Sequence, residues 1–128
     1  MFRASIRLFQ VTKTTTGIFG LGVHPDPLPA LKQTYKSTLT ALETIPSASS
    51  YRQATEAITR SRLSAVESAG DNIQQVEQAI GGGQIEEILD AAQDELSLVA
   101  KMKQIEPWGA LQEPPRPGQW KYFGEETS

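Results

Sequence analysis

The chain has 128 residues, 38% of them hydrophobic, and a formal net charge of -3, a length that suits one domain able to bury roughly two-thirds of its unfolded surface. The acidic balance argues against a nucleic-acid partner, which favours a basic footprint. The absence of cysteine removes disulfides, iron–sulfur ligation and thiol chemistry, and no apolar run approaches the ~20 residues of a membrane-spanning helix.

Charge is unevenly spread. Residues 1–25 contain Arg3, Arg7 and Lys13 and no acid, so the rest of the chain carries a net -6. Phe2, Ile6 and Phe9 recur at helical spacing beside Arg3 and Arg7, among Ser5, Thr12, Thr14, Thr15 and Thr16. A basic, hydroxyl-rich, acid-free amphipathic start reads as a mitochondrial import signal over residues 1–16; the plainer reading is a terminus that merely lacks acids. Residues 17–29, "GIFGLGVHPDPLP", cannot continue a helix, because glycine is too free and proline lacks the N–H donor. They are expected to form an ordered connector that packs through Ile18, Phe19, Leu21 and Val23.

The first helix is expected from Pro27, with Asp26 as its cap. Leu28, Leu31, Tyr35, Leu39, Leu42 and Ile45 form one apolar stripe, and Pro46 ends it. After the turn "SASS", Ser50 and Gln53 suit a capping box. The second stripe is Tyr51, Ala54, Ile58 and Ala65 or Val66, broadened by Leu63, and it closes near Ser68. Asp71 opens a short helix with Ile73, Val76 and Ile80 facing inward, stopped by Gly81, Gly82 and Gly83. The last helix runs from about Gln84 to Ile105, with the stripe Ile85, Leu89, Ala92, Leu96, Val99 and Met102. Its acids Glu86 and Glu87 open it and Lys101 and Lys103 close it, as the helix dipole favours. Nothing reads as a strand. The fold class is all-α: a small antiparallel bundle of three main helices plus one short helix. Residues 17–106 form the bundle with its lead-in, between non-helical N- and C-terminal arms, the latter spanning 107–128.

Reactive chemistry is sparse. His24 is the only histidine; it supplies neither a metal centre, which needs several ligands in geometry, nor the paired Glu-x-x-His motifs of a di-iron bundle, and it reads as structural. Glu86, Asp90 and Asp94, four residues apart, read as a solvated acidic face. The glycines of "GGGQIEE" precede a helix N-terminus, but no Walker lysine or Rossmann strand accompanies them and two glutamates would repel an anion. No catalytic residue, cofactor, metal or small-molecule substrate is assigned.

The C-terminal arm is the informative part. "WGALQEPPRPGQWKYFG" (residues 108–124) holds both tryptophans and three prolines. Trp108, Leu111, Trp120, Tyr122 and Phe123 are candidate partner-interface residues, because aromatic side chains concentrate binding energy and proline lowers the entropy lost on docking. The competing expectation is that the arm folds back on its own bundle. A mixed arrangement puts Trp108 and Leu111 on the bundle and lets Trp120 onward reach out.

The ordered set "TTGIFGLGV", "LETIPSASSYRQATEAIT", "GGQIEEILDAAQDELSLVAKM" and "PWGALQEPPRPGQWKY", spanning residues 15–122, resembles the thirteen-kilodalton-B, or alpha subcomplex subunit 5, family of mitochondrial respiratory complex I. Each piece alone is a cap or a stripe; the specificity lies in their order and spacing. The resemblance implies a non-catalytic accessory subunit of NADH:ubiquinone oxidoreductase, peripheral on the matrix side of the mitochondrial inner membrane. Its partners would be other complex I subunits, chiefly the thirty-kilodalton core subunit. A transient assembly chaperone of the same arm is the alternative. The triple glycine exceeds what a helix turn strictly needs, and on sequence alone the angle of the last helix stays open.

Overall fold

The computed structural model describes residues 13–122, so Phe123 and the greater part of the import-like segment lie outside the described residues. Among the described residues there are four helices and no strand: α1 (Pro27–Leu42), α2 (Ser50–Ala69), α3 (Ile73–Ile80) and α4 (Ile85–Ile105).

Two apolar clusters define the packing. Leu28, Leu31 and Tyr35 of α1 meet Ile85, Ile88, Leu89 and Ala92 of α4, with Val66 of α2 and Val76 of α3. Leu42 and Ile45 meet Val99 of α4, with Tyr51 of α2 and Trp108 against them. The start of α1 therefore lies beside the start of α4 and the end of α2. Sequential neighbours α1 and α2 are antiparallel, and α1 and α4, which share the largest interface, run parallel. The short α3 bridges α2 and α4 and closes the first cluster with Val76, fully buried.

The stripe on α1 outlasts the helix. Hydrogen bonds from Glu43 N to Thr40 O (3.3 Å), Thr44 N to Ala41 O (3.2 Å) and Ile45 N to Leu42 O (3.0 Å) tighten the chain into an i to i+3 turn. That turn delivers Ile45 to the core at 1% exposure.

Three caps differ from expectation. Asp26 precedes α1 but its side chain caps nothing; Pro27 and Pro29 occupy the first and third helical positions and supply no N–H to accept from. The cap of α2 is Ser49, whose Oγ accepts from Arg52 N, so Ser50 is already helical. Gln53 donates to Ser47 O instead (3.0 Å). The cap of α3 is Asn72, which accepts from Gln75 N at 3.1 Å, not Asp71.

The inward face of α2 is also rotated from the expected stripe. Ala54 is exposed and Ile58 is 53% exposed, whereas Thr55, Thr59 and Val66 are buried. Threonine's methyl packs like a small hydrophobe, so a face counted by hydrophobic letters alone misses it. In the lead-in, Leu21 and Val23 are half-buried, but Ile18 and Phe19 face solvent.

The triple glycine is required. Gly81 ends α3 in the left-handed conformation (φ 70°), and Gly83 has φ 87°. A Cβ on Gly83 would fall 2.3 Å from Glu87 Oε2, and one on Gly82 would fall 3.1 Å from Ile88 Cγ1. The direction of α4 follows from a turn that favours glycine, by positive φ at Gly81 and Gly83 and by the close approach of Ile88 at Gly82. Two carboxylates then cap the helix: Glu87 accepts from Gln84 N (2.7 Å) and Glu77 of α3 accepts from Ile85 N (2.9 Å).

Candidate partner interface

The C-terminal arm leaves α4 through Glu106, in the left-handed conformation at φ 52°, followed by a turn bonded from Gly109 N to Glu106 O (3.0 Å). Pro107 makes helix continuation impossible. The turn folds Trp108 back onto Leu42, Ile45 and Val99, where it is half-buried. The chain then diverges from the bundle. Leu111 is 73%, Trp120 80% and Tyr122 81% exposed. Of the arrangements the sequence leaves open, the mixed one would put Leu111 on the bundle beside Trp108; Leu111 faces solvent instead. A second turn, bonded from Gln119 N to Arg116 O (3.1 Å) and from Lys121 N to Gly118 O (3.3 Å), contains Trp120 and leads into Tyr122. The structure thus separates the candidates into Trp108, fixed to the helices, and Leu111, Trp120 and Tyr122, presented to solvent.

At the other end of α4 lies a lock that sequence reasoning missed. Glu86, expected on a solvated acidic face with Asp90 and Asp94, is 3% exposed, while Asp90 and Asp94 are exposed. Lys13 Nζ donates to Glu86 Oε2 at 2.5 Å and to Gln84 Oε1 at 2.9 Å. His24 N donates to Glu86 Oε1 at 3.4 Å, and Gln84 Nε2 donates to Thr16 O at 2.7 Å. Burial by itself raises the Glu86 pKa, but the Lys13 hydrogen bond, backbone N–H groups and the Lys13 charge outweigh it, and the carboxyl is held below its ordinary value. No local signal marks this pairing, because the partners are 73 residues apart in sequence.

A cavity of about 220 Å³ opens between α1, α2 and α4, lined among others by Tyr35, Thr38, Thr55, Thr59, Arg62 and Glu95. It offers no proton-transfer pair. Tyr51 donates to Glu95 at 2.6 Å and its phenol is pushed up to about 12, first by burial and then by that carboxylate. Burial likewise raises the Tyr35 phenol, with Arg62 opposing. Both phenols stay neutral near pH 7, and Glu95 is engaged. The His24 ring lies elsewhere, its Nδ1 accepting from Asp26 N at 3.0 Å. Among the described residues no cluster of three His, Cys, Asp or Glu side chains is placed to hold a metal ion, and no helix is long and apolar enough to cross a membrane.

These features define a class: a small helical protein whose distinctive surface is a set of exposed apolar side chains on a proline-stiffened arm. A family model for the ETC complex I subunit conserved region matches residues 20–87. The chain is 47% identical over 111 residues to an NADH dehydrogenase (ubiquinone) 1 alpha subcomplex subunit of Candida albicans, covering 86% of this chain and 79% of that one. It is 44% identical over 110 residues to NADH dehydrogenase (ubiquinone) 1 alpha subcomplex subunit 5 of Bos taurus (86% and 94% covered). It is 41% identical over 110 residues to the probable subunit 5 of Caenorhabditis elegans (86% and 73%). The chain belongs to the NADH dehydrogenase (ubiquinone) alpha subcomplex subunit 5 family.

Proposed function

We propose that this protein is a non-catalytic accessory subunit of mitochondrial complex I that stabilises the matrix arm by protein–protein contact, chiefly against the thirty-kilodalton core subunit. On this reading it sits peripherally on the matrix side of the inner membrane. Family membership supports the assembly, since the relatives are named as subunits of NADH dehydrogenase (ubiquinone). The observation that carries the contact mode is the exposure of Leu111, Trp120 and Tyr122 on an arm that a folded helix end holds away from the bundle. Apolar aromatic surface left in water is unfavourable by about 25 cal/mol per Å², and docking on a partner removes that term. Proline and the second turn limit the ordering entropy that docking costs.

The test is incorporation. Mitochondria lacking the chain receive tagged wild-type protein or the Trp120→Ala/Tyr122→Ala variant, and native gels follow the tag beside NADH dehydrogenase activity. Wild type should co-migrate with the active large complex, and the variant should incorporate at least ~10-fold less, as expected for two aromatic anchors. Co-migration only with smaller inactive assemblies would favour a transient chaperone. Equal incorporation of the two proteins would overturn the role of the arm.

A further inference from the structure

Phe19 is the most exposed large apolar side chain among the described residues, at 105% of its reference exposure, with Ile18 beside it at 40%. It does not sit on a loose segment. Thr16 is 7% exposed; its Oγ1 donates to Leu21 O at 2.6 Å and accepts from Ile18 N at 3.2 Å. Leu21 N donates to Ile18 O at 3.3 Å, closing the loop on itself. Gly17 (φ 74°) and Gly20 (φ 78°) flank the tip in left-handed backbone, and a Cβ at either would meet nothing within 4 Å. Backbone conformation, not crowding, therefore selects glycine on both sides of Phe19. The loop is tied to the start of α4 by Gln84 Nε2 on Thr16 O and by Lys13 on Glu86 and Gln84. A fully solvated phenylalanine held on so well-bonded a turn is a preformed knob.

We infer that the Thr16–Leu21 loop is a second docking element, presenting Phe19 to a concave apolar pocket on a partner protein, at the end of the bundle opposite the C-terminal arm. This rests on reading the chain as an assembly subunit. Charge chooses the partner. Residues 14–23 contain no charged side chain, and the adjacent cation, Lys13, is taken up by Glu86. Anionic lipid headgroups draw in loops that carry free lysine or arginine, which this tip lacks; a neutral aromatic tip matches an apolar protein pocket. The spacing adds a constraint. The loop is fastened at the first turn of α4 and Trp108 packs against Val99 near its end. The stretch of α4 from Glu86 to Val99 covers about 20 Å along the helix axis. A partner that engages both elements must therefore bridge at least about 20 Å between these anchor points.

The experiment compares wild type, Phe19→Asp and Phe19→Leu, imported into mitochondria lacking the chain and normalised to protease-protected protein. Phe19 touches nothing, so purified Phe19→Asp should melt with the wild-type midpoint. Phe19→Asp should enter the large NADH-oxidising complex about tenfold less than wild type, and Phe19→Leu, which keeps an apolar tip, should recover most of the loss. If wild type incorporates and Phe19→Asp equals it, the docking role of the loop is wrong while the subunit reading stands. If wild type itself stays out of the large complex, the subunit reading fails and the inference falls with it. Two outcomes with purified protein would also overturn it by naming another occupant: a wild-type dimer on sizing that Phe19→Asp dissolves, or Phe19-dependent pelleting with phosphatidylcholine–cardiolipin vesicles.

Discussion

A carboxylate at 3% exposure persists only where partners replace its water, and Glu86 has Lys13 and the His24 N–H. Lys13→Met would leave that charge buried with its main partner gone, and should cost about 1–3 kcal/mol, the range for an orphaned buried polar group. Urea unfolding of the purified protein measures it, and Lys13→Met with Glu86→Gln should recover part of the loss. Recovery matters more than the loss itself, because it separates an uncompensated charge from simple loss of the lysine's packing. The same group gives an acid dependence of definite sign. The Glu86 pKa is lowered in the folded state, so the folded chain binds fewer protons than the unfolded chain. Its stabilisation is complete above the ordinary glutamate value of 4.5 and is lost as pH falls through the lowered folded value. Glu86→Gln should flatten the stability profile in that acid window and leave its shape near neutrality unchanged. An identical acid limb in wild type and variant would assign acid unfolding to other carboxylates.

Between elements, the turn from α3 to α4 decides direction. Gly83 has φ 87° and no room for a Cβ beside the Glu87 carboxylate that caps Gln84. Gly83→Ala combines left-handed strain of about 1–2 kcal/mol with displacement of that cap, worth a further ~1 kcal/mol. Gly81 also has positive φ, at 70° in the left-handed region, but a Cβ there meets nothing within 4 Å. Gly81→Ala should therefore cost only the backbone term, and a thermal-melt comparison of the two isolates the cap; equal losses would rule out a contribution from Glu87. This turn marks the limit of what the chain's spelling disclosed. Helix existence and the α1 and α4 stripes were legible because leucine, isoleucine and valine repeat at helical spacing and proline or glycine stops each run. The glycines signalled a stop, but their need for positive φ and close approach depends on where Glu87 and Ile88 return in space. The buried face of α2 was misread because Thr55 and Thr59 occupy it while Ile58 points out, a pattern that hydrophobic counting inverts. Asp26 satisfied the residue preference for a cap, but the N–H that such a cap would accept at the third position belongs to a proline.

At the scale of the molecule, the parallel α1 and α4 make a rod with different work at its two ends. One end fastens the N-terminal lead-in through Lys13 and Gln84; the other anchors the C-terminal arm through Trp108. The aromatic content of the arm was plain in the sequence, whereas its division was not, because what holds Trp108 is a pocket formed by Leu42, Ile45 and Val99, from residues 42 to 99. That division predicts a split in measurable behaviour. Trp108→Ala removes a half-buried indole from a cluster with only three fully buried members, and should lower unfolding free energy by about 1–3 kcal/mol. Deleting residues 111–128 removes more chain, including Trp120 and Tyr122, but from the described part of that segment only exposed side chains. Its effect on urea unfolding followed by circular dichroism should stay within about 0.5 kcal/mol, as for surface changes. Incorporation into the proposed assembly should reverse the order, with the deletion the more damaging of the two. A deletion that destabilises the isolated protein as much as Trp108→Ala would mean that the outer arm serves its own bundle, and the interface role assigned to Trp120 and Tyr122 would then have to be abandoned.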